Sequence, residues 1–270
     1  MKFICPLCNE ILSETSSPFL KGHFLYYLGV ANCELGNYDE SLNLVKQSQK
    51  YLSQPEDLNK SYFTLLRILL KKKPFNREDY QTALSLLEKV KDMPITILDM
   101  KARFQEKAGY SKEAIATYED LKKGVLYQFS SISSGVNKIL WEYPHFRQAS
   151  LLFQEGNLKK AKEKFLSLLK IMEKDWPPNE SDTKWHFWSI SCQTLGMVLP
   201  CPFNIKAATY LYLMEIGCRQ GEDVTDYQSS LKKVLGEAKK RIPAEKELLR
   251  MIEETSVSIL SSQAKHHHQK

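Results

Sequence analysis

Apolar residues recur at three- and four-residue spacing along most of this chain, and short glycine turns break the runs into pairs. Gly36-Asn37-Tyr38, Gly109-Tyr110-Ser111 and Gly156-Asn157-Leu158 each sit between two such runs, in a fixed register. Seven residues before the glycine stands a small residue, Gly29, Ala102 or Ala149. Five after it stands another, Ser41, Ala114 or Ala161, and nine after it a bulky one, Val45, Tyr118 or Phe165. The pattern predicts antiparallel helix pairs. Helix axes approach to roughly 8–10 Å only where side chains are small, which accounts for the paired small positions. A glycine accepts the left-handed conformation that so often ends a helix, which accounts for the turn.

The same reading divides the chain. Residues 1–19 are a lead-in of loop-like composition with Pro18 suited to a first helical turn. Residues 20–129 hold three units, the second less regular because Lys71-Lys72-Lys73-Pro74-Phe75-Asn76 lengthens its turn. Residues 130–141, containing Ser130 to Gly135, interrupt the phase and read as a loop, helix break or hinge. Residues 142–262 hold a regular fourth unit and a fifth pair, Trp185 to Leu199 with Asn204 to Gly217. Two capping helices follow, broken at Ile242-Pro243; residues 263–270 are a frayed tail. The expected fold is all-α, with about five helical hairpins and a C-terminal capping pair stacked into a right-handed superhelix, because one hairpin cannot bury its apolar face alone.

Composition agrees. Over 270 residues the chain is 43% hydrophobic and 26% charged, with 11 Gly and 11 Pro, so helix breakers are scarce. The net charge of +6 is too weak to argue nucleic-acid binding by itself. Two basic stretches, Lys71–Lys73 and Lys232 through Lys233, Lys239, Lys240 and Arg241 to Arg250, read as solvated helix faces. Contact with nucleic acid or an anionic membrane surface is the alternative function. No apolar run approaches the ~18 residues of a membrane span, and the start of the chain is too short in apolar residues for a secretory signal. The expected compartment is the cytoplasm, with the nucleus or an organelle surface as alternatives; six scattered cysteines fit reduced thiols.

Candidate chemistry is sparse. Cys5-x-x-Cys8 has the spacing of half a tetrahedral zinc site, but no second half is evident. The two cysteines read as small apolar residues of an N-terminal cap, with zinc or a redox pair as the alternatives. His266-His267-His268 can chelate metals non-specifically. His145 and His186 sit among aromatics and read as packed. There is no phosphate loop, nucleophile elbow or metalloprotease helix, so the chain is expected to be no enzyme and to need no cofactor.

The three registers resemble the tetratricopeptide repeat superfamily over about residues 22–217. The resemblance implies a protein–protein adaptor whose first helices line a concave face. The implied groove residues are Tyr26 and Val30 in the first unit, Ile68 in the second, Arg103 in the third, and Tyr143, Phe146 and Phe153 in the fourth. The groove would be aromatic at its ends and charged in its middle, suited to a helix or extended peptide with apolar anchors. The competing reading is that a helix of the same chain fills it. The co-chaperone subclass grips a C-terminal carboxylate with Lys and Asn where this chain has Tyr26 and Val30, which argues against chaperone tails as the partner. A second stretch, Lys206-Ala207-Ala208-Thr209-Tyr210-Leu211-Tyr212 with Ile242-Pro243-Ala244-Glu245-Lys246, is similar to the fungal inclusion-body-clearance proteins and their animal tetratricopeptide relatives. That similarity implies a cytosolic adaptor in protein quality control, associated with mitochondria or lipid droplets.

Overall fold

In the computed structural model the described residues are 15–91, 94–129, 135–173, 202–241 and 246–267, and every regular element among them is a helix. In chain order these are α1 (Pro18–Glu34), α2 (Tyr38–Ser48), α3 (Pro55–Lys71), α4 (Arg77–Lys89), α5 (Pro94–Lys107) and α6 (Ser111–Phe129). They continue as α7 (Gly135–Gln154), α8 (Leu158–Glu173), α9 (Pro202–Gln220), α10 (Thr225–Arg241) and α11 (Lys246–His267). The chain divides into two units, Met1–Thr117 and Tyr118–Lys270.

Four of the turns between paired helices are built alike. Gly36, Gly109, Gly156 and Gly221 have φ of 85°, 82°, 78° and 72°. In each, the glycine N–H donates to the carbonyl three residues back: Gly36 to Cys33 (3.1 Å), Gly109 to Glu106 (3.0 Å), Gly156 to Phe153 (2.9 Å), Gly221 to Cys218 (3.2 Å). The next N–H reaches five residues back: Asn37 to Asn32 (2.9 Å), Tyr110 to Gln105 (2.8 Å), Asn157 to Leu152 (2.9 Å), Glu222 to Gly217 (2.9 Å). This double closure satisfies the orphan carbonyls of the finishing helix and turns the chain back. The α3–α4 turn lacks glycine. There Asn76 and Asp79 form a reciprocal cap, each side chain accepting from the other's backbone N–H at 2.9 and 3.0 Å.

In the first unit α1 packs on α2 and α3, α3 on α2 and α4, and α5 on α3 and α4. Each later first helix therefore touches both helices of the hairpin before it. Val45, Leu65, Leu66, Ile68, Leu69, Ala83, Leu87, Met100 and Phe104 form its continuous core. In the second unit α7 packs on α8, α9 on α7, α8 and α10, and α11 on α9 and α10. Phe165, Leu168, Met172, Ile205, Leu213, Met214 and Ile216 are buried there.

One expected boundary moves. Residues 135–141, read as part of a loop, are the first two turns of α7. The serine- and glycine-containing stretch Ser130 to Gly135 disguised them, because that composition marks loops more often than helix starts. The helix placed at 204–217 as the second member of a fifth pair is followed, through Gly221, by α10, with which it forms a hairpin. The described residues hold five hairpins, the fifth being α9–α10, followed by a single helix, α11. The other expected member, Trp185 to Leu199, the break at Ile242-Pro243 and the CxxC pair lie wholly or partly outside the described residues.

Candidate functional site

The first helices of the hairpins are the elements that would carry a groove. In the first unit α1 and α3 are cross-linked along their length. His23 Nε2 lies 3.8 Å from Asp57 Oδ2, the Tyr26 and Thr64 hydroxyls share a hydrogen bond of 2.9 Å, and Lys71 Nζ donates to Glu34 Oε1 at 2.7 Å. These polar ties run beside the apolar contact of Cys33 and Tyr26 with the cluster that holds Leu65 and Ile68. Tyr26 and Val30 stay half-buried. Ile68 does not line a groove. It is fully buried in the core with Leu65 and Leu69, leaving no atom for a partner. The cause is that α5 and α4 close over α3 from the other side. Arg103 is held by its own helix: its Nε is 2.9 Å from Asp99 Oδ2, and its side chain is 17% exposed.

The expected aromatic end in the second unit is filled from within. The Tyr143 ring meets Tyr118 edge-on at 6.3 Å. Phe146 and Phe153 both meet Tyr212 of α9, at 5.9 and 5.1 Å, and Tyr212 also stacks on Phe165 at 4.9 Å. The Arg219 guanidinium lies 4.8 Å from the Phe153 centroid. Tyr143 and Phe146 are therefore buried packing residues, and Phe153 is the groove position there with exposed surface left. Sequence reasoning missed Tyr212 because it was placed on a second helix, which faces away from the groove.

The basic stretches are largely neutralised. Lys72 Nζ is 2.8 Å from Asp79 and 3.1 Å from Asp39, and the hydrogen bond it donates to Asp79 holds the ammonium pKa above its ordinary value. Lys107 donates to the Leu70 and Lys72 carbonyls at 2.7 and 2.8 Å, capping the end of α3 across the hairpin boundary, with its ammonium 5.0 Å from the Phe75 ring centroid. Burial, with Lys73 nearby, pushes its pKa down. At the far end Lys239 pairs with Glu253, Lys240 with Glu237 and Arg250 with Glu254. Lys73, Lys232 and Lys233 face solvent.

One polar cluster lies inside the second unit. Lys122 Nζ is 2.6 Å from Glu119 Oε2, which also accepts from Gln148 Nε2 at 3.1 Å, and Lys164 Nζ donates to Gln148 Oε1 at 3.4 Å. Burial, then the two lysines, lowers the His145 pKa to about 4, so this histidine is neutral at pH 7. The cluster joins α6, α7 and α8. Among the described residues no group of three His, Cys, Asp or Glu could hold a metal ion. Cys5 and Cys8, the zinc candidates, and His186 lie outside the described residues. Among those residues no helix is long and apolar enough to cross a membrane.

No family model matches the chain, and no curated protein sequence matches it. Among solved structures it is similar to a signal transduction ATPase with numerous domains (STAND) protein with a tetratricopeptide repeat sensor, from Pyrococcus horikoshii. The TM-score is 0.50 at 16% identity, covering 94% of this chain and 41% of that one. The likeness is one of fold: an all-α helical repeat. The stretch Lys206–Tyr212, compared above with the inclusion-body-clearance proteins, falls in α9, where Lys206, Ala207, Thr209 and Tyr210 are all buried, so similarity there bears on packing.

Proposed function

We propose that this chain is a non-catalytic scaffold or adaptor of the cytoplasm that binds a protein or peptide on the first-helix side of its opening hairpins. The observation that carries the reading is α1. Its inner positions Tyr26 and Val30 are only half-buried, while Ile68, Tyr143 and Phe146 farther along are buried. Two neighbouring apolar anchors on a rigid helix suit a short amphipathic or extended segment. The ion pairs of Lys71 and Lys72 leave the nucleic-acid or lipid alternative without a supporting observation. A quantitative pull-down compares wild type with Tyr26→Ala/Val30→Ala, using exposed Ser85→Ala as control. Loss of a discrete set of partners only in the double variant is expected. Retention of every partner, in a variant with unchanged circular dichroism, would discard the α1 surface.

A further inference from the structure

Helical periodicity puts two lysines of the second unit where a core residue is expected. On α8, Lys164 falls within the buried stripe Ala161, Phe165, Leu168 and Met172, three residues after Ala161 and four before Leu168. On α6, Lys122 follows buried Leu121 and stands four residues after buried Tyr118. Lys122 is 6% exposed and Lys164 is half-buried, so neither ammonium keeps its full hydration.

The two ammoniums converge on one carboxylate and one amide. Glu119 Oε2 accepts from Lys122 Nζ at 2.6 Å and from Gln148 Nε2 at 3.1 Å. The second bond fixes which way the Gln148 amide points: its nitrogen faces Glu119, and its oxygen faces Lys164. Lys122 holds the carboxylate, and Lys164 Nζ meets the neutral amide oxygen at 3.4 Å. Such an acceptor offsets little of the cost of an ammonium drawn out of water beside a like charge. Burial, then Lys122, pushes the Lys164 pKa down, against the weaker pull of Glu119. His145 is neutral and adds no charge to the balance.

Lys107 of the first unit is also pushed down by burial, but its nitrogen is committed to the fold. It donates to the Leu70 and Lys72 carbonyls at 2.7 and 2.8 Å, and an acylated nitrogen would have one hydrogen for the two of them. An acylated Lys164 keeps the one hydrogen that Gln148 Oε1 accepts, and it no longer repels Lys122.

We propose that Lys164 is a site of N-acylation, its ε-amine taking the acyl group of a thioester in preference to the exposed lysines of the same helix. The amine lone pair attacks the thioester carbonyl carbon, and the C–N bond forms as the C–S bond breaks. The electron pair of the C–S bond leaves on the thiolate, and the surplus amine proton passes to the thiolate or to water. The site is independent of the α1 surface and of any partner bound there.

The folded chain is treated at neutral pH with a small uncharged acetyl thioester, that of N-acetylcysteamine, and acetylation is followed lysine by lysine by peptide mass spectrometry. Lys164 should react at least about fivefold faster than Lys159 and Lys160, which are exposed about one turn earlier on α8. The lead should vanish in the urea-unfolded chain. It should also shrink in Lys122→Met, which removes the like charge and frees Glu119 for Lys164. Methionine suits the buried stripe of α6, and circular dichroism checks that the variant is folded. Should it not fold, Glu119→Gln reads the same balance with the opposite sign, by widening the lead. A Lys164 rate no greater than those of Lys159 and Lys160 overturns the proposal. So does a lead that survives unfolding, or one that is indifferent to both substitutions.

Discussion

The first and fifth hairpins, α1–α2 and α9–α10, close with the same turn and pack by different means. Gly36 and Gly221 have nearly the same φ and the same pair of backbone hydrogen bonds. In the first hairpin the close approach falls at Gly29, seven residues before the turn. A Cβ there would lie 2.6 Å from Val45 Cγ2 and 3.2 Å from both Ser41 O and Val45 N. The buried Ser41 hydroxyl fixes the spacing by donating to Gly29 O at 2.6 Å. In the fifth hairpin position seven is Met214, fully buried, and the close approach slides to Gly217, four residues before the turn, against Val224 Cγ1 at 2.6 Å. Backbone hydrogen bonding thus defines the hairpin, and the small-residue register is free to move. The contact at Gly29 is backed by main chain, whereas the one at Gly217 meets a single side chain.

The largest expected effect follows from that asymmetry. Gly29→Ala drives a methyl into Val45 with backbone behind it, and should destabilise the first hairpin by about 2–3 kcal/mol even after the helix-propensity gain of alanine. Urea unfolding, with hydrogen exchange to localise the loss to α1 and α2, checks it. A change near zero would mean that the two helices can separate freely and that the comparison is empty. Next comes the shared turn. Gly36→Ala and Gly221→Ala each put a Cβ on a left-handed residue with open space around it, so each should cost about 1–2 kcal/mol from backbone strain alone. Near-equal losses support one turn design in both hairpins. A loss at Gly36 three times that at Gly221 would break it.

How much of this could be read in the sequence differs along the chain for physical reasons. Where turn glycine and small residues kept the seven-before, five-after register, at Gly36, Gly109 and Gly156, the helices and their pairing were legible. At Gly221 the turn is as regular, but Met214 and Asp226 occupy the small-residue positions, so the pattern was silent. The serine and glycine of Ser130 to Gly135 hid the first turns of α7 because that composition reads as a loop. The site was less legible than the fold. Periodicity tells which side of a helix is apolar, but not which neighbour covers it. Ile68 was taken for groove and is core, and Phe146 was taken for groove and lies under Tyr212. Tyr26, although bonded to Thr64 of α3, and Val30 are only half-buried.

Gly236 and Gly217 give the smallest effects and sharpen the contrast most. Gly236 is exposed in the middle of α10, and a Cβ there meets nothing within 4 Å. Gly236→Ala should therefore stabilise by about 0.5–1 kcal/mol, the difference in helix propensity. Gly217→Ala gains the same propensity term inside α9 but sets its methyl against Val224 Cγ1. Val224 sits in the short connection between the helices, and the next nearest atoms belong to the Glu222 side chain at 3.8 and 3.9 Å. A connection can shift by the needed fraction of an ångström more cheaply than a helix backed by its neighbour's main chain. The two terms should nearly cancel, leaving Gly217→Ala within about 0.5 kcal/mol of wild type. Urea midpoints of the three alanine variants should then fall in the order Gly236, Gly217, Gly29, from most to least stable. If Gly217→Ala lost as much as Gly29→Ala, the fifth hairpin would be as rigidly specified as the first, and the sliding of its small residue would be a change of register without a change in tolerance.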